Sequence, residues 1–257
     1  MKYFKKKGMI RVVEMWYEDN QSIDSTCDVI RYKFIPKIPR KAHSIEELYT
    51  LIIDLSSDPE TLLNDVAKNT KYEIKRARER DNLTIQNLLS AGEKNDAALN
   101  EYIEFFNGFA DLKKRNAITV GELAQFYNSG NLEIRSIIDL ETSEPVSMHA
   151  YIISDGRARL LQSSSHFRGS NDPEYRKKTG RANRLLHWED ILYYKKIGLA
   201  YYDFGGWYCG SDDLEKLSIN QFKEAFGGQK LREFSCIVPV TSLGTLSIAI
   251  RKIIRGK

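Results

Sequence analysis

At 257 residues, with a net charge of +4, 42% hydrophobic and 29% charged content, the chain has the make-up of an ordinary globular protein. That length suits one large domain, or one domain with a small appendage. No apolar run approaches the roughly 18 residues of a membrane span, and MKYFKKKGMIRVVEMW lacks the apolar core and cleavage site of a secretory signal. Cys27, Cys209 and Cys236 are far apart and form no CxxC pair, so free thiols in a cytoplasmic setting are expected and a metal site is not. Mild positive charge permits an anionic ligand without demanding nucleic acid.

Ile10 to Tyr17 and Cys27 to Phe34 alternate as strands do, and IPKIPRK follows as a proline-punctuated linker. The apolar run Leu51 to Leu55 reads as a buried strand. Ser56 or Ser57 is expected to cap the next helix, with Pro59 in its first turn and Leu62, Leu63, Val66 and Ala67 on its buried face. A short helix over about 71–80 leads into a strand from Leu83 to Gln86. Ala97 to Leu112 and Val120 to Tyr127 are helical by period. Three strands follow, LEIRSIIDL, VSMHAYIIS and RARLLQSSS, with Asp155-Gly156 as a hairpin signal between the last two.

The basic stretch YRKKTGRA then precedes a helix expected over Ala182 to Lys196. AYYDFGGW reads as a strand closing on two glycines, and SINQFKEAFGG as a helix. A strand around Glu233 to Val238 and the apolar-basic helix LGTLSIAIRKIIRGK follow. A turn at Gly180 would let backbone approach a ligand closely, and a helix start offers unpaired N–H groups to an anion. Arg176, Lys177, Lys178 and Arg181 would add full charges; the plainer reading is a solvated basic turn.

Lys177-Lys178-Thr179-Gly180-Arg181-Ala182 is similar to the coenzyme A signature of the GNAT acyltransferases, Arg/Gln-x-x-Gly-x-Gly/Ala, with Lys177 departing from it. LIIDL with NTKYEIKRARERDNL, LLHWEDILYYKKIGLAYYDFGGW and NQFKEAFGG resemble the FemAB-like branch of that superfamily, over about residues 50 to 238. The resemblance implies an α/β (α+β) fold, a GNAT-like mixed, largely antiparallel sheet flanked by helices. It implies a short β-rich N-terminal extension over 1–48, packed on a GNAT-like acyltransferase domain over 49–257. Only about 50 residues precede the core, too few for the second GNAT copy of peptidoglycan cross-bridge enzymes.

The activity so implied is N-acyl transfer from acyl-CoA, without a metal, to a small-molecule amine such as a nucleotide- or lipid-linked amino sugar on its way to the cell envelope. Aminoacyl-tRNA is the other donor, and a non-catalytic binding domain the third reading. The pyrophosphate would meet Lys177, Lys178, Thr179, Gly180, Arg181 and Ala182, and the pantetheine amides would pair with the backbone of Gln162, Ser163 and Ser164. An oxyanion needs a fixed donor, in this fold a backbone N–H of the fourth core strand where it splays from the fifth.

For proton transfer, neutral His166 could take a proton at the mouth of that strand, and Tyr208 could return one to the leaving thiolate. Asp203 is either a base or a carboxylate tying down the Gly205-Gly206 turn. His149, mid-strand, reads as a satisfied core or cleft histidine. Trp207 and Tyr208 suit an acceptor wall or core packing. Lys71, Lys75, Arg76, Arg78 and Arg80, interleaved with Glu73 and Glu79, read as a solvated face, with an anionic acceptor or a tRNA backbone as the functional reading.

Overall fold

The computed structural model describes residues 1–17, 26–166 and 172–255. They divide into two compact units, a larger one of 51–205 with 210–229 and a smaller one of 1–50 with 206–209 and 230–257. Residues 230–257 thus group with the N-terminal segment.

In the smaller unit, β1 (Lys2–Lys7) and β2 (Ile10–Trp16) form a hairpin about Gly8. β2 runs parallel to β3 (Val29–Ile35), and β3 pairs antiparallel with β10 (Gln229–Pro239). One sheet face packs Val13, Met15, Ile30, Tyr32, Ile35 and Cys236 into a core. Helix α7 (Ser242–Arg255) needs Gly244, because a Cβ there would lie 1.9 Å from the Asp28 carbonyl oxygen. The apolar-basic helix read from sequence is this element. β1 was not anticipated, since KYFKKK alternates too weakly to signal a strand.

In the larger unit the strand order is β4 (His43–Asp54, here 51–54), β9 (Tyr201–Gly206), β8 (Arg157–Ser165), β7 (Glu144–Ser154), β6 (Leu132–Asp139) and β5 (Leu83–Leu89). The β5–β6, β6–β7 and β7–β8 pairs are antiparallel, and β9 runs parallel to β8. This is a mixed α/β architecture with a mostly antiparallel sheet, as expected. Asp155 and Gly156 both have positive φ (52° and 71°), the geometry a two-residue Asp-Gly hairpin demands.

Around the sheet lie α1 (Pro59–Asp65), α2 (Lys68–Arg80), α3 (Asp96–Leu112), α4 (Val120–Asn128), α5 (Pro173–Lys196) and α6 (Leu214–Glu224). Asp58, rather than Ser56 or Ser57, caps α1, accepting from the N–H groups of Glu60 and Thr61. Gly227 and Gly228 after α6 have positive φ, and a Cβ on Gly228 would lie 2.4 Å from the Ile52 carbonyl oxygen. Only glycine fits there.

The largest departure is α5. Asp172 caps it, accepting from the Glu174 N–H at 2.9 Å, with Pro173 in the first turn. Gly180 therefore lies inside the helix, and the turn expected there is absent. An Ala Cβ at Gly180 would meet nothing nearer than the Arg184 guanidinium, at 3.7 Å. Gly180→Ala should accordingly raise stability by about 0.5–1 kcal/mol, the usual gain over glycine in a helix interior. A lower urea midpoint for that variant would contradict a helix running through Gly180.

Candidate functional site

The feature that opens the sheet of the larger unit is the parting of β8 and β9. Their ladder joins Arg157 to Tyr201, Ala158 to Tyr202 and Arg159 to Asp203, and β8 then continues to Ser165. On its other side β8 pairs Leu160 with Tyr151 and Gln162 with Ala150, so Leu161 is one extra residue, a bulge. A bulge twists a strand and frees its backbone groups from the ladder. The edge that follows is Gln162, Ser163 and Ser164.

Their side chains are already engaged. Tyr102 donates its hydroxyl to Gln162 Oε1 at 2.7 Å, Ser163 donates to Asn183 Oδ1 at 3.3 Å, and Ser164 donates to the Met148 carbonyl at 3.1 Å.

Asp203 is fully buried just below this opening. It accepts from Arg157 Nη1 at 3.2 Å, Arg159 Nη1 at 2.5 Å and the Gly205 N–H at 2.8 Å. These contacts tie the Asp203 carboxylate to Arg157, Arg159 and the turn at Gly205. Gly205 itself has φ +72°.

The residue that sequence reading overlooked is Lys223, on α6. It is 8% exposed, and its Nζ donates to the Gly205 carbonyl at 3.4 Å. Burial lowers its pKa to about 8, with Asp203 pulling the other way. A charged donor poised near neutrality beside a strand opening is a functional candidate. The signal in sequence was FKEAF, where a lysine one residue from the buried face looked like a solvated charge.

Behind the opening a polar chain runs through the core. Asn183 Oδ1 accepts from Ser147 at 2.8 Å and sits 2.9 Å from His149 Nε2. His149 Nδ1 lies 2.8 Å from Asp190 Oδ2, which also accepts from the Tyr151 hydroxyl at 2.6 Å. Arg135 Nε donates to Asp190 Oδ1 at 2.5 Å. Tyr151 meets the Tyr202 hydroxyl at 2.9 Å, and Tyr202 meets His187 Nδ1 at 2.7 Å. His149 is thus a satisfied core histidine.

His187 is buried among Phe204, Phe222 and Phe226, and that burial, helped by His149, Lys223 and Arg184, holds its pKa well below the usual value. It folds neutral, while the unfolded chain protonates below about pH 6.5, so stability is complete above that pH and falls as pH drops beneath it. The expected slope is up to about 1.4 kcal/mol per pH unit. Urea unfolding at pH 7.5 and 5.5 should show a shallower acid loss for His187→Gln than for the parent. Equal losses would remove His187 as the cause.

His166 ends β8. Its ring stacks on Phe105 (centroids 4.1 Å apart, 9° between planes) and its Nε2 lies 3.2 Å from the Phe105 carbonyl. Nε2 therefore carries the proton, leaving Nδ1 as the nitrogen that could accept one. Tyr208 lies after β9 in the 206–209 segment of the smaller unit, half-buried. Beside it, Lys230 stands 4.2 Å over the Trp207 ring.

The six residues expected to cradle a pyrophosphate are helical, and their amides belong to α5. Arg181 makes a two-pronged ion pair with Asp81 at 2.6 and 2.9 Å, both side chains buried. Lys178 is held by Asp139 at 2.7 Å and Glu141 at 3.3 Å, and Lys177 by Glu174 at 2.8 Å. Thr179 donates to the Tyr175 carbonyl, and Ala182 is fully buried. The turn expected at Gly180 is thereby corrected to helix, with Arg181 joining α5 to Asp81 and Lys178 joining it to β6. In the second basic cluster Lys75 pairs with Glu79 and Arg78 with Glu189. Among the described residues no cluster of His, Cys, Asp and Glu is placed to hold a metal ion, and no helix is long and apolar enough to cross a membrane.

No family model matches the chain, and no curated protein matches it. Solved structures do. FemX superposes with a TM-score of 0.64 at 11% identity, over 95% of this chain and 85% of that one. L-PGS from Bacillus licheniformis gives 0.56 at 13% identity, over 98% and 85%. A C-terminal domain ascribed to a lysylphosphatidylglycerol synthetase from Agrobacterium fabrum gives 0.56 at 8% identity, over 98% and 84%. The likeness is one of fold: the chain folds as FemX and L-PGS do.

Proposed function

We propose that the chain transfers an acyl group to an amine at the parting of β8 and β9, and that the group is an aminoacyl ester carried by tRNA. The observation that carries this reading is Lys223, a buried ammonium with its pKa lowered to about 8, beside a strand opening and near a bulge at Leu161. The likeness in fold to FemX and to L-PGS supports transfer of this kind.

In such a reaction the amine attacks the ester carbonyl, the N–C bond forms and the C–O bond to the ribose breaks. The amine gives up a proton and the leaving hydroxyl gains one. Lys223 and a backbone N–H freed at the bulge would meet the negative charge that grows on the carbonyl oxygen. His166 would accept the amine's proton at Nδ1, because its Nε2–H already points to the Phe105 carbonyl. Asp203 serves as scaffold for the Gly205 turn. The acceptor is a small amine, for which a nucleotide- or lipid-linked amino sugar is the candidate from the resemblance.

The acyl-CoA reading keeps one observation in its favour. The Gln162–Ser164 edge, beyond the last β9 ladder pair, suits pantetheine amides added as a strand. Its pyrophosphate turn, however, has gone into α5. The two donors separate in a thermal-shift experiment with coenzyme A, acetyl-CoA and an aminoacyl-adenosine amide that mimics the tRNA end. A ligand at 100 times its dissociation constant adds about 2.7 kcal/mol. Stabilisation by the adenosine amide is expected; stabilisation by coenzyme A alone would restore acyl-CoA.

A further inference from the structure

Charge is unevenly shared between the two units. The smaller one carries sixteen Lys and Arg against eight Asp and Glu, net +8, and the larger carries 23 against 27, net −4, which together give the chain's +4. A protein so divided presents its positive part to an anionic partner.

Helix α7 belongs to that positive unit. Its sequence, SLGTLSIAIRKIIR, holds three basic residues and no acidic one. One side faces inward: Gly244 is pressed on the Asp28 carbonyl, and Ser247 and Ile248 line a cavity of about 750 Å³ whose wall also includes Arg31 and Lys33. On another face Leu243, Leu246 and Ile250 are 41%, 57% and 46% exposed. Spaced i, i+3 and i+7, they form a single apolar stripe.

We propose that α7 docks the smaller unit on an anionic lipid surface. Leu243, Leu246 and Ile250 enter the boundary between headgroups and acyl chains, and the unit's positive charge meets the anionic headgroups. The apolar stripe decides between anionic partners. A nucleic acid would answer the charge but has no use for three exposed aliphatic side chains on one helix face. The binding is peripheral, since no described helix is long and apolar enough to span.

The test is co-sedimentation of the full chain with vesicles of phosphatidylcholine, alone or with about a third phosphatidylglycerol. Binding to the anionic vesicles should be about tenfold tighter or more, and should weaken as salt rises. Leu246→Glu with Ile250→Glu should lose about tenfold or more in vesicle affinity. Both positions are solvent-exposed, so the urea midpoint should not move. Leu246→Ser with Ile250→Ser, which adds no charge, should act in the same direction. A double variant that binds anionic vesicles as the parent does would overturn the proposal, as would a parent that binds neither vesicle. Binding of tRNA without binding of vesicles would assign the charge to a nucleic acid instead.

Discussion

Lys223→Met is expected to lower turnover by about 10²-fold or more, the usual cost of removing one oxyanion donor, while leaving the protein at least as stable. The second half of that expectation separates chemistry from scaffolding. A lysine buried to 8% exposure, with its pKa lowered to about 8, loses free energy through desolvation, and an apolar side chain of similar length removes the loss. A merely structural Lys223 would instead show reduced stability, through its bond to the Gly205 carbonyl, and ordinary turnover. The pH profile gives an independent reading. If the ammonium form is the working one, kcat should fall as pH rises through about 8. Activity that climbs through that range would assign Lys223 to proton abstraction.

Asp190→Asn should destabilise the protein by about 3–5 kcal/mol, because it strands a buried cation. Asp190 is fully buried and receives Arg135 on one oxygen and Tyr151 and His149 on the other. The asparagine keeps the shape and one acceptor, but the Arg135 guanidinium, itself buried, is left without its counter-charge. Pairing the change with Arg135→Met removes the stranded charge and should recover much of the loss. The pair can be read from urea unfolding of the two single variants and the double. Additive losses, with no recovery, would mean that the ion pair is not the cause.

The strands and most helices were legible because their patterns are local. Asp155-Gly156 dictated its hairpin, and the alternation in LEIRSIIDL and VSMHAYIIS located β6 and β7. The start of α5 was misread although its signal was present. NDPEY at 171–175 and SDPET at 57–61 carry the same Asp-Pro-Glu helix start, and both helices begin at that proline. Gly180 hid the second, since a glycine amid lysines looks like a loop until a helix on both sides is seen to tolerate it. That single error also put a turn where Lys177, Lys178 and Arg181 are helical and ion-paired.

The site was less legible than the fold for a different reason. Arg135, His149 and Asp190 lie on two strands and a helix, up to 55 residues apart, and meet only once the chain has folded. Lys223 reads as a surface charge until α6 is seen against Gly205. Asp203 was open between base and scaffold, because sequence shows its aromatic flanks but not the two arginines that neutralise it.

The most direct test of the account is a single-turnover reaction of the full chain with an amine acceptor, offered aminoacyl-tRNA with a labelled amino acid and, separately, labelled acetyl-CoA. The account predicts that label passes from tRNA to the acceptor, that Lys223→Met slows this by about 10²-fold or more, and that acetyl-CoA releases no thiol. Label passing from acetyl-CoA with stoichiometric thiol release, while the tRNA ester stays intact, would contradict it.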